Sequence, residues 1–316
     1  MSRAAGDTGV HDHLLRRRVD RGSTDREIAM HWEYIWQEFH MASQRLGQHF
    51  LEDPTVVETI VEAAELRPSD TVVEIGPGRG ALTSDLVAGV RRALLIEYDT
   101  ELASQMAVRY ESDTTVRVLN ADAREFGADL DPWLRDTAYK VVGNLPYYAA
   151  NPILRNFLES TRQPEALVVM VQREVGRDIT ADPGRMSLLS VSVQVYAQVE
   201  QVIDVSPESF NPPPKVHSSV VKLKPTGSPQ VKWESADDFF RLVRSGFKSP
   251  RKQLHNSIAD GLFIHSDDAR KLVKQVGIET TRRPATLSIG EWQLLYDTWV
   301  EASRPFRVPT PQQFRT

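Results

Sequence analysis

A mixed α/β fold, a mostly parallel doubly wound sheet followed by a small all-α segment, is what this sequence predicts, on three observations. Apolar, strand-length runs alternate with helical stretches from residue 53 to about residue 171, and such alternation gives parallel strands joined by crossover helices. A glycine-rich turn, Gly76-Pro-Gly78-Arg-Gly80, breaks the first long run at its carboxyl end, where sheets of this kind bind ligands. Beyond Pro225-Thr-Gly-Ser-Pro229, a linker by composition, the apolar period becomes helical.

Residues 1–40 stand apart, with six arginines against seven acids. A mitochondrial transit peptide would lack those acids, and a secretory signal would need an apolar centre. The stretch reads as an irregular extension, or as residues ahead of a start at Met41; a short amphipathic helix over 24–40 is the alternative. Asp53-Pro54 is a helix cap and first turn, with the helix running to about residue 66. Strand Thr71–Ile75 follows, then a helix over about 81–88, strand Arg92–Glu97, and a helix from an Asp99 cap to about residue 110. Runs at 116–119, 140–143 and 166–171 read as the third, fourth and fifth strands, and 199–205 with 218–223 as a paired end to the sheet. Helices are expected at about 236–247, 251–260, 267–276 and 290–302. The tail 305–316, with three prolines, reads as disordered or extended. There is no internal repeat.

Hydrophobic residues make up 41% of the chain and charged residues 26%, ordinary for a globular protein. No run approaches the ~18 apolar residues of a membrane span, and no membrane partner is expected. Cysteine is absent, which excludes disulfides, cysteine zinc sites and thiol nucleophiles. The motif His11-Asp12-His13 reads as a solvated polar tail rather than a metal site, so no metal is expected. The net charge of −5 argues against a uniformly cationic surface but not against a local basic patch.

A glycine-rich turn alone says little, because tight turns use glycine for steric reasons. The acids around this one sharpen it: Glu74 just before the turn, Glu97 ending the second strand, and Asp122 after the third. Three carboxylates near one helix N-terminus repel a pyrophosphate. They suit a ligand with ribose hydroxyls, an adenine amine, an ammonium and a sulfonium, which is S-adenosylmethionine, with S-adenosylhomocysteine as its product. Glu97 lies 21 residues past Gly76, where an acid accepting both ribose hydroxyls is expected. Asp122 is then expected to accept from the cofactor's adenine amine. Helix capping is the alternative role for these acids.

Asn144-Leu145-Pro146-Tyr147 closes the fourth strand. An aromatic amine is a poor nucleophile, because its lone pair is delocalised into the ring. The Asn144 side-chain oxygen and the Leu145 carbonyl, in a turn stiffened by Pro146, are expected to accept both amine hydrogens of a base, and Tyr147 to stack on its face. The nitrogen becomes acidic only once methylated, so alignment and fixed acceptors carry the catalysis. Phe210, on the loop Phe210-Asn-Pro-Pro-Pro-Lys215-Val-His-Ser218, either closes the other face of a flipped base or packs in the core. Lys215 is placed to reach a phosphate.

These residues resemble the KsgA-type ribosomal RNA adenine dimethyltransferases, which share a superfamily with the Erm-type resistance methyltransferases. The likeness runs from about residue 44 to residue 299. Arg45-Leu-Gly-Gln-His49-Phe-Leu51 resembles the family's opening motif, which lies over the methionine part of the cofactor, and Val73-Glu-Ile-Gly-Pro-Gly-Arg-Gly-Ala-Leu-Thr83 its glycine loop. Val171-Gln-Arg-Glu-Val175, the Phe210 loop, Arg251-Lys252-Gln-Leu-His-Asn256-Ser257-Ile and Leu287-Ser-Ile-Gly-Glu-Trp292 also match. The resemblance implies a class I, Rossmann-like methyltransferase sheet over 41–226, a helical RNA-binding domain over 227–304, and a cytoplasmic monomer. It implies cofactor contacts from His49, Leu51, Gly76, Gly78, Glu97, Asp122 and Asn144, with RNA contacts from Lys215, Arg251 and Lys252. Its substrate would be two adjacent adenosines near the 3′ end of small-subunit ribosomal RNA, each methylated twice at N6 late in subunit assembly.

Two departures stand out. His49 replaces an asparagine frequent in the family; contact there is largely through backbone, so cofactor binding is expected to survive. The acidity of the chain is unusual for an RNA enzyme, but residues 241–283 hold ten Lys/Arg against four acids. That stretch is either a phosphate-binding patch or a solvated helical surface. Two other functions fit the fold: Erm-like methylation of a large-subunit adenine, and a non-catalytic ribosome-assembly factor. The opening motif, the Phe210 loop and the long C-terminal segment favour the small subunit; intact Asn144, Tyr147, Glu97 and Asp122 favour retained chemistry.

Overall fold

Buried apolar runs become the middle strands of a seven-stranded sheet in the computed structural model, which describes residues 49–302 apart from 130 and 136. The extension at 1–40 with His11-Asp12-His13, residues 44–48 of the opening motif, and the tail at 305–316 lie outside the described residues. The described chain starts with a two-residue strand, β1 (Phe50–Leu51), and helix α1 (Pro54–Ala63), whose Asp53 cap accepts from the Thr55 N–H at 3.0 Å. Then come β2 (Thr71–Ile75), α2 (Thr83–Ala88), β3 (Arg92–Glu97), α3 (Thr100–Arg109), β4 (Val116–Asn120) and β5 (Tyr139–Asn144). Next are α4 (Ala150–Leu158), β6 (Ala166–Gln172), α5 (Arg173–Ile179), α6 (Leu188–Gln194), β7 (Ala197–Val205), β8 (Phe210–Asn211) and β9 (Ser218–Pro225). The last part is helical: α7 (Ala236–Phe247), α8 (Leu254–Leu262), α9 (Ser266–Gln275) and α10 (Ile289–Glu301).

The spatial order is β4-β3-β2-β5-β6-β9-β7. Strands β4 to β6 in that order are parallel, and β9 runs antiparallel to both β6 and β7. Successive residues point to opposite faces, and both faces are covered. Val73, Ile75, Leu94, Ile96 and Val141 pack with α4 and α6, while Val72, Ala93, Leu95 and Val142 pack with α1 and α2. This is why the central strands read as unbroken apolar runs. Edge strand β4, only half-buried, does not.

The helical part shares a core with the sheet. Tyr196 meets Trp233 edge-on at 6.0 Å, and Trp233 lies 5.5 Å from Phe239. Trp292 and Trp299 are buried deeper in the same cluster. Helix α8 begins at Leu254, behind an extended Gln253, so Arg251 and Lys252 sit in the α7–α8 turn rather than on a helix. Helices α4, α5 and α6 have no counterpart in the sequence reading. Among the described residues no helix is long and apolar enough to cross a membrane.

Candidate active site at the carboxyl ends of the parallel strands

Strand β2 ends at Ile75 and turns through Gly76, Gly78 and Gly80, with φ of 66°, 55° and 89°. These left-handed conformations favour glycine. Space adds to this at Gly78, where a Cβ would lie 3.3 Å from the Phe50 ring; at Gly80 a Cβ would meet only the far end of the flexible Arg109 side chain, 2.5 Å away, which can shift. The Gly76 N–H donates to the Ile96 carbonyl at 2.9 Å, which ties the turn to β3.

Glu97 ends β3 and is 6% exposed. Its Oε2 accepts the Gly78 N–H at 3.0 Å and its Oε1 the Asp99 N–H at 2.9 Å, so the carboxylate is held in a fixed orientation beside the glycine turn. Asp122 follows β4. Its Oδ1 accepts the Arg124 N–H at 2.9 Å, and its Oδ2 pairs with Arg124 Nη2 at 2.6 Å. The hydrogen bond from the Arg124 side chain holds the Asp122 carboxyl below the usual carboxylate range. Two exposed rings, Tyr98 and Tyr148, frame this end. Burial raises the Tyr148 hydroxyl, and the charges of Arg124, Asp122 and Glu97 all bear on it. Arg124, Tyr98 and Tyr148 escaped the sequence reading, although Tyr98 directly follows Glu97 at a strand end and Tyr148 directly follows Tyr147.

Glu74 lies beneath the turn, fully buried. Burial pushes its carboxyl up to about 8, and the Glu97 charge adds to the rise while the Thr83 hydroxyl works against it. Thr83 stands near, but neither Glu74 Oε2 nor Thr83 Oγ1 reaches a partner at hydrogen-bonding geometry. An unsatisfied buried acid of this kind is costly.

Strand β5 carries Asn144 to the adjacent position. A Cβ on Gly143 would sit 2.5 Å from the Ile75 carbonyl, so β2 and β5 abut with no room for a side chain. The Asn144 amide nitrogen donates to the His49 carbonyl at 3.4 Å, which turns Oδ1 the other way. The Leu145 N–H donates to the Met170 carbonyl at 3.0 Å and its side chain is buried, whereas its carbonyl accepts no hydrogen bond among the described residues. The Pro146 carbonyl accepts from the Ala149 N–H at 2.8 Å, closing the turn into α4. The Tyr147 hydroxyl shares a 2.8 Å hydrogen bond with Ser218, and its ring stacks on His49 at 6.5 Å.

The opening motif reaches this pocket through the β1–β8 ribbon, which pairs Phe50 with Asn211 and Leu51 with Phe210. His49 Nδ1 donates to the Pro212 carbonyl at 2.7 Å. His49, Asn144 and Tyr147 are thereby brought together with the Phe210 loop. The Phe210 ring itself is 4% exposed and packs with Leu51, Ile60 and Val220. Of its two expected roles, the core role is the one its packing shows. Lys215, Arg251 and Lys252 are exposed.

The ten cations counted over 241–283 do not form one patch. Arg241 packs over the Trp299 ring at 5.1 Å, Arg282 pairs with Glu291, and Arg270 meets His255 at 3.2 Å. Those side chains hold helices together. Among the described residues no group of three or more His, Asp or Glu is placed to hold a metal ion.

A sheet of this order with β9 reversed, a glycine turn after β2 and an acid ending β3 defines a Rossmann-like class I methyltransferase fold. The residues fit S-adenosylmethionine: left-handed glycines leave room for it, Glu97 is an oriented acceptor, and an orphaned Glu74 oxygen lies below. The chain belongs to the ribosomal RNA adenine dimethylase family, whose model matches residues 39–299. It is 37% identical over 260 residues to a ribosomal RNA small subunit methyltransferase A of Dehalococcoides mccartyi, covering 82% of this chain and 89% of that one. The Synechococcus elongatus protein of the same name is 39% identical over 261 residues, covering 79% and 92%. Among solved structures, a dimethyladenosine transferase from Plasmodium falciparum superposes with a TM-score of 0.69 at 24% identity, over 81% of this chain and 98% of that one, a likeness of fold. The 23S rRNA methyltransferase ErmE gives 0.63 at 26% identity, over 79% and 98%.

Proposed function

We propose that the protein dimethylates adenine N6 in small-subunit ribosomal RNA, at two adjacent adenosines near its 3′ end, late in subunit assembly. The observation that carries this reading is the Asn144–Leu145 pair. One amide oxygen is turned away from its His49 anchor, and one peptide carbonyl has no other described partner. Both stand at the strand end next to the glycine turn.

Bound S-adenosylmethionine supplies an electrophilic methyl group on a sulfonium. Asn144 Oδ1 and the Leu145 carbonyl accept the two hydrogens of the target amine, which draws the nitrogen toward a pyramidal geometry and directs its lone pair. Such fixed acceptors need no reorganisation during the reaction. Tyr147, steadied by Ser218, stacks on the base, and Pro146 stiffens the turn. After transfer the amine loses its proton to solvent. Glu97 receives the cofactor's ribose hydroxyls, Asp122 its adenine amine, and Gly76 and Gly78 give backbone approach; His49 and Leu51 contribute through the ribbon. Phe210 acts from the core, holding that ribbon against the pocket.

On this reading residues 41–226 carry the chemistry and 227–304 grip RNA, with Lys215, Arg251 and Lys252 at phosphates, in a cytoplasmic monomer. A large-subunit target is less favoured, since the relatives at 37% and 39% identity reported above bear small-subunit names. The decisive experiment incubates the protein with methyl-labelled cofactor and undermethylated small subunits, then maps the label. Label at adjacent adenines near the 3′ end is expected; label confined to large-subunit RNA would reject the reading.

A further inference from the structure

Phe263 follows the last residue of α8 with φ 59° and ψ 45°. In this left-handed conformation an L side chain crowds the following carbonyl, and helices ending this way usually place glycine there. The chain keeps phenylalanine, with its ring 75% exposed, the highest value among the exposed large hydrophobic residues described. Backbone strain and an uncovered ring both oppose stability, and burial offsets neither.

The surroundings of the ring are cationic. Lys248 Nζ lies 4.7 Å from its centroid and donates to the Asp260 carbonyl at 2.7 Å. Arg251 and Lys252 are exposed in the neighbouring turn, Lys252 pairing with the Asp260 carboxylate at 2.6 Å. Residues 248–263 thus set three Lys/Arg against one acid. The mounting is rigid. A Cβ on Gly261 would lie 2.3 Å from Ser245 Cβ, so α8 ends flush against α7. Ser257 Oγ donates to the Ser245 carbonyl at 3.0 Å and accepts the Ser249 N–H at 2.9 Å.

We propose that Phe263 is a stacking platform for an unpaired base of the RNA substrate, with Lys248, Arg251 and Lys252 at the flanking phosphates. Aromatic faces for bases beside cations for the backbone are how proteins hold single-stranded RNA. Lys248 takes one part of the ring and leaves the rest open. A protein partner or a membrane would call for a wider apolar patch, whereas Leu262 is buried and Ile264 half-buried. The proposal rests on the RNA substrate argued above and adds a contact outside its pocket.

Phe263→Gly installs the residue that adopts this backbone most easily, so the ring is lost without unfolding the protein, while Phe263→Tyr keeps a ring. Affinity of both variants and the parent for undermethylated small subunits is measured beside Tm and cofactor affinity. Phe263→Gly is expected to bind about tenfold more weakly, within the range of one lost base–aromatic stack, with Tm unchanged or higher and cofactor affinity the same. Phe263→Tyr is expected to bind like the parent. Equal affinity of Phe263→Gly and the parent overturns the platform, as does a change in the oligomeric state of the free protein with subunit affinity untouched. Failure of the functional reading shows separately, as a parent protein that transfers no methyl to subunits. The two variants are then compared on a single-stranded RNA oligonucleotide, where the same loss, or its absence, decides the platform.

Discussion

Asn144 and Glu74 occupy neighbouring strand ends and differ in what their oxygens can do. Asn144 has one end tied to the His49 carbonyl and the other available to the amine. Asn144→Ala is therefore expected to lower methyl transfer by about 10²-fold or more, the scale for removing one preorganised polar group, while small-subunit binding is retained. Labelled-methyl transfer beside a binding assay checks this, and unchanged turnover would defeat the assigned chemistry. Glu74 has no partner for Oε2, and burial lifts its carboxyl to about 8. An unfolded glutamate titrates near ~4.3. Between those pH values the folded protein keeps a proton that the unfolded chain has lost, so this group's contribution falls as pH rises. Stability of the cofactor-free protein should decline from about pH 5 to about pH 8, by on the order of a few kcal/mol from this residue, and Glu74→Gln should flatten the decline. Denaturant unfolding at a series of pH values gives the slope, and identical slopes for the two proteins would rule out a protonated Glu74.

Elements meet where side chains are missing. Gly143 lets β5 lie against β2, and a methyl group there would press on the Ile75 carbonyl. Gly143→Ala is expected to destabilise the fold by ~1–3 kcal/mol through overpacking and to reduce methyl transfer as well, since Asn144 is the next residue. A lower midpoint in chemical unfolding tests the first effect, and a midpoint equal to the parent's would mean that the strands can part at no cost. The strands themselves were legible because β2, β3, β5 and β6 are apolar runs that end at turns. So were α1, α2 and α3, but α4, α5 and α6 were not. Pro152 masks α4, although in the first turn its missing N–H costs nothing. The seven residues of α6, Leu-Leu-Ser-Val-Ser-Val-Gln, carry the alternation of a strand; a Ser187–Ser190 capping box and burial against the sheet make it helical. The β1–β8 ribbon joins two residues to two from far along the chain, a pairing no local pattern announces. Its consequence reaches the site, because the ribbon sets His49 beside Asn144 and draws Phe210 into the core.

Charge is legible only in part at the scale of the whole molecule. The excess of cations over 241–283 is read directly from sequence, but Arg241, Arg270 and Arg282 are taken up by Trp299, His255 and Glu291, as only the folded chain reveals. What remains exposed for RNA is Lys248, Arg251 and Lys252 around the α7–α8 turn, with Lys271, Lys274 and Arg283, on a protein whose net charge is −5. An acidic body repels a polyanion, so attraction must come from that local set, and salt must weaken it. Among the described residues Arg251 enters no ion pair, while Lys252 is shared with Asp260. Arg251→Glu with Lys252→Glu is therefore expected to weaken small-subunit binding more at low salt than at high salt. The slope of log affinity against log salt should become shallower by about 0.7–0.9 for each phosphate that the variant no longer neutralises. Arg251→Glu alone should account for most of the change, because Lys252 is already partly neutralised by its carboxylate partner. Titrations at several salt concentrations measure both quantities. An affinity and slope equal to the parent's would leave the turn as ordinary solvated surface, and the RNA grip would then have to come from other exposed cations, Lys215, Lys271, Lys274 and Arg283 among them.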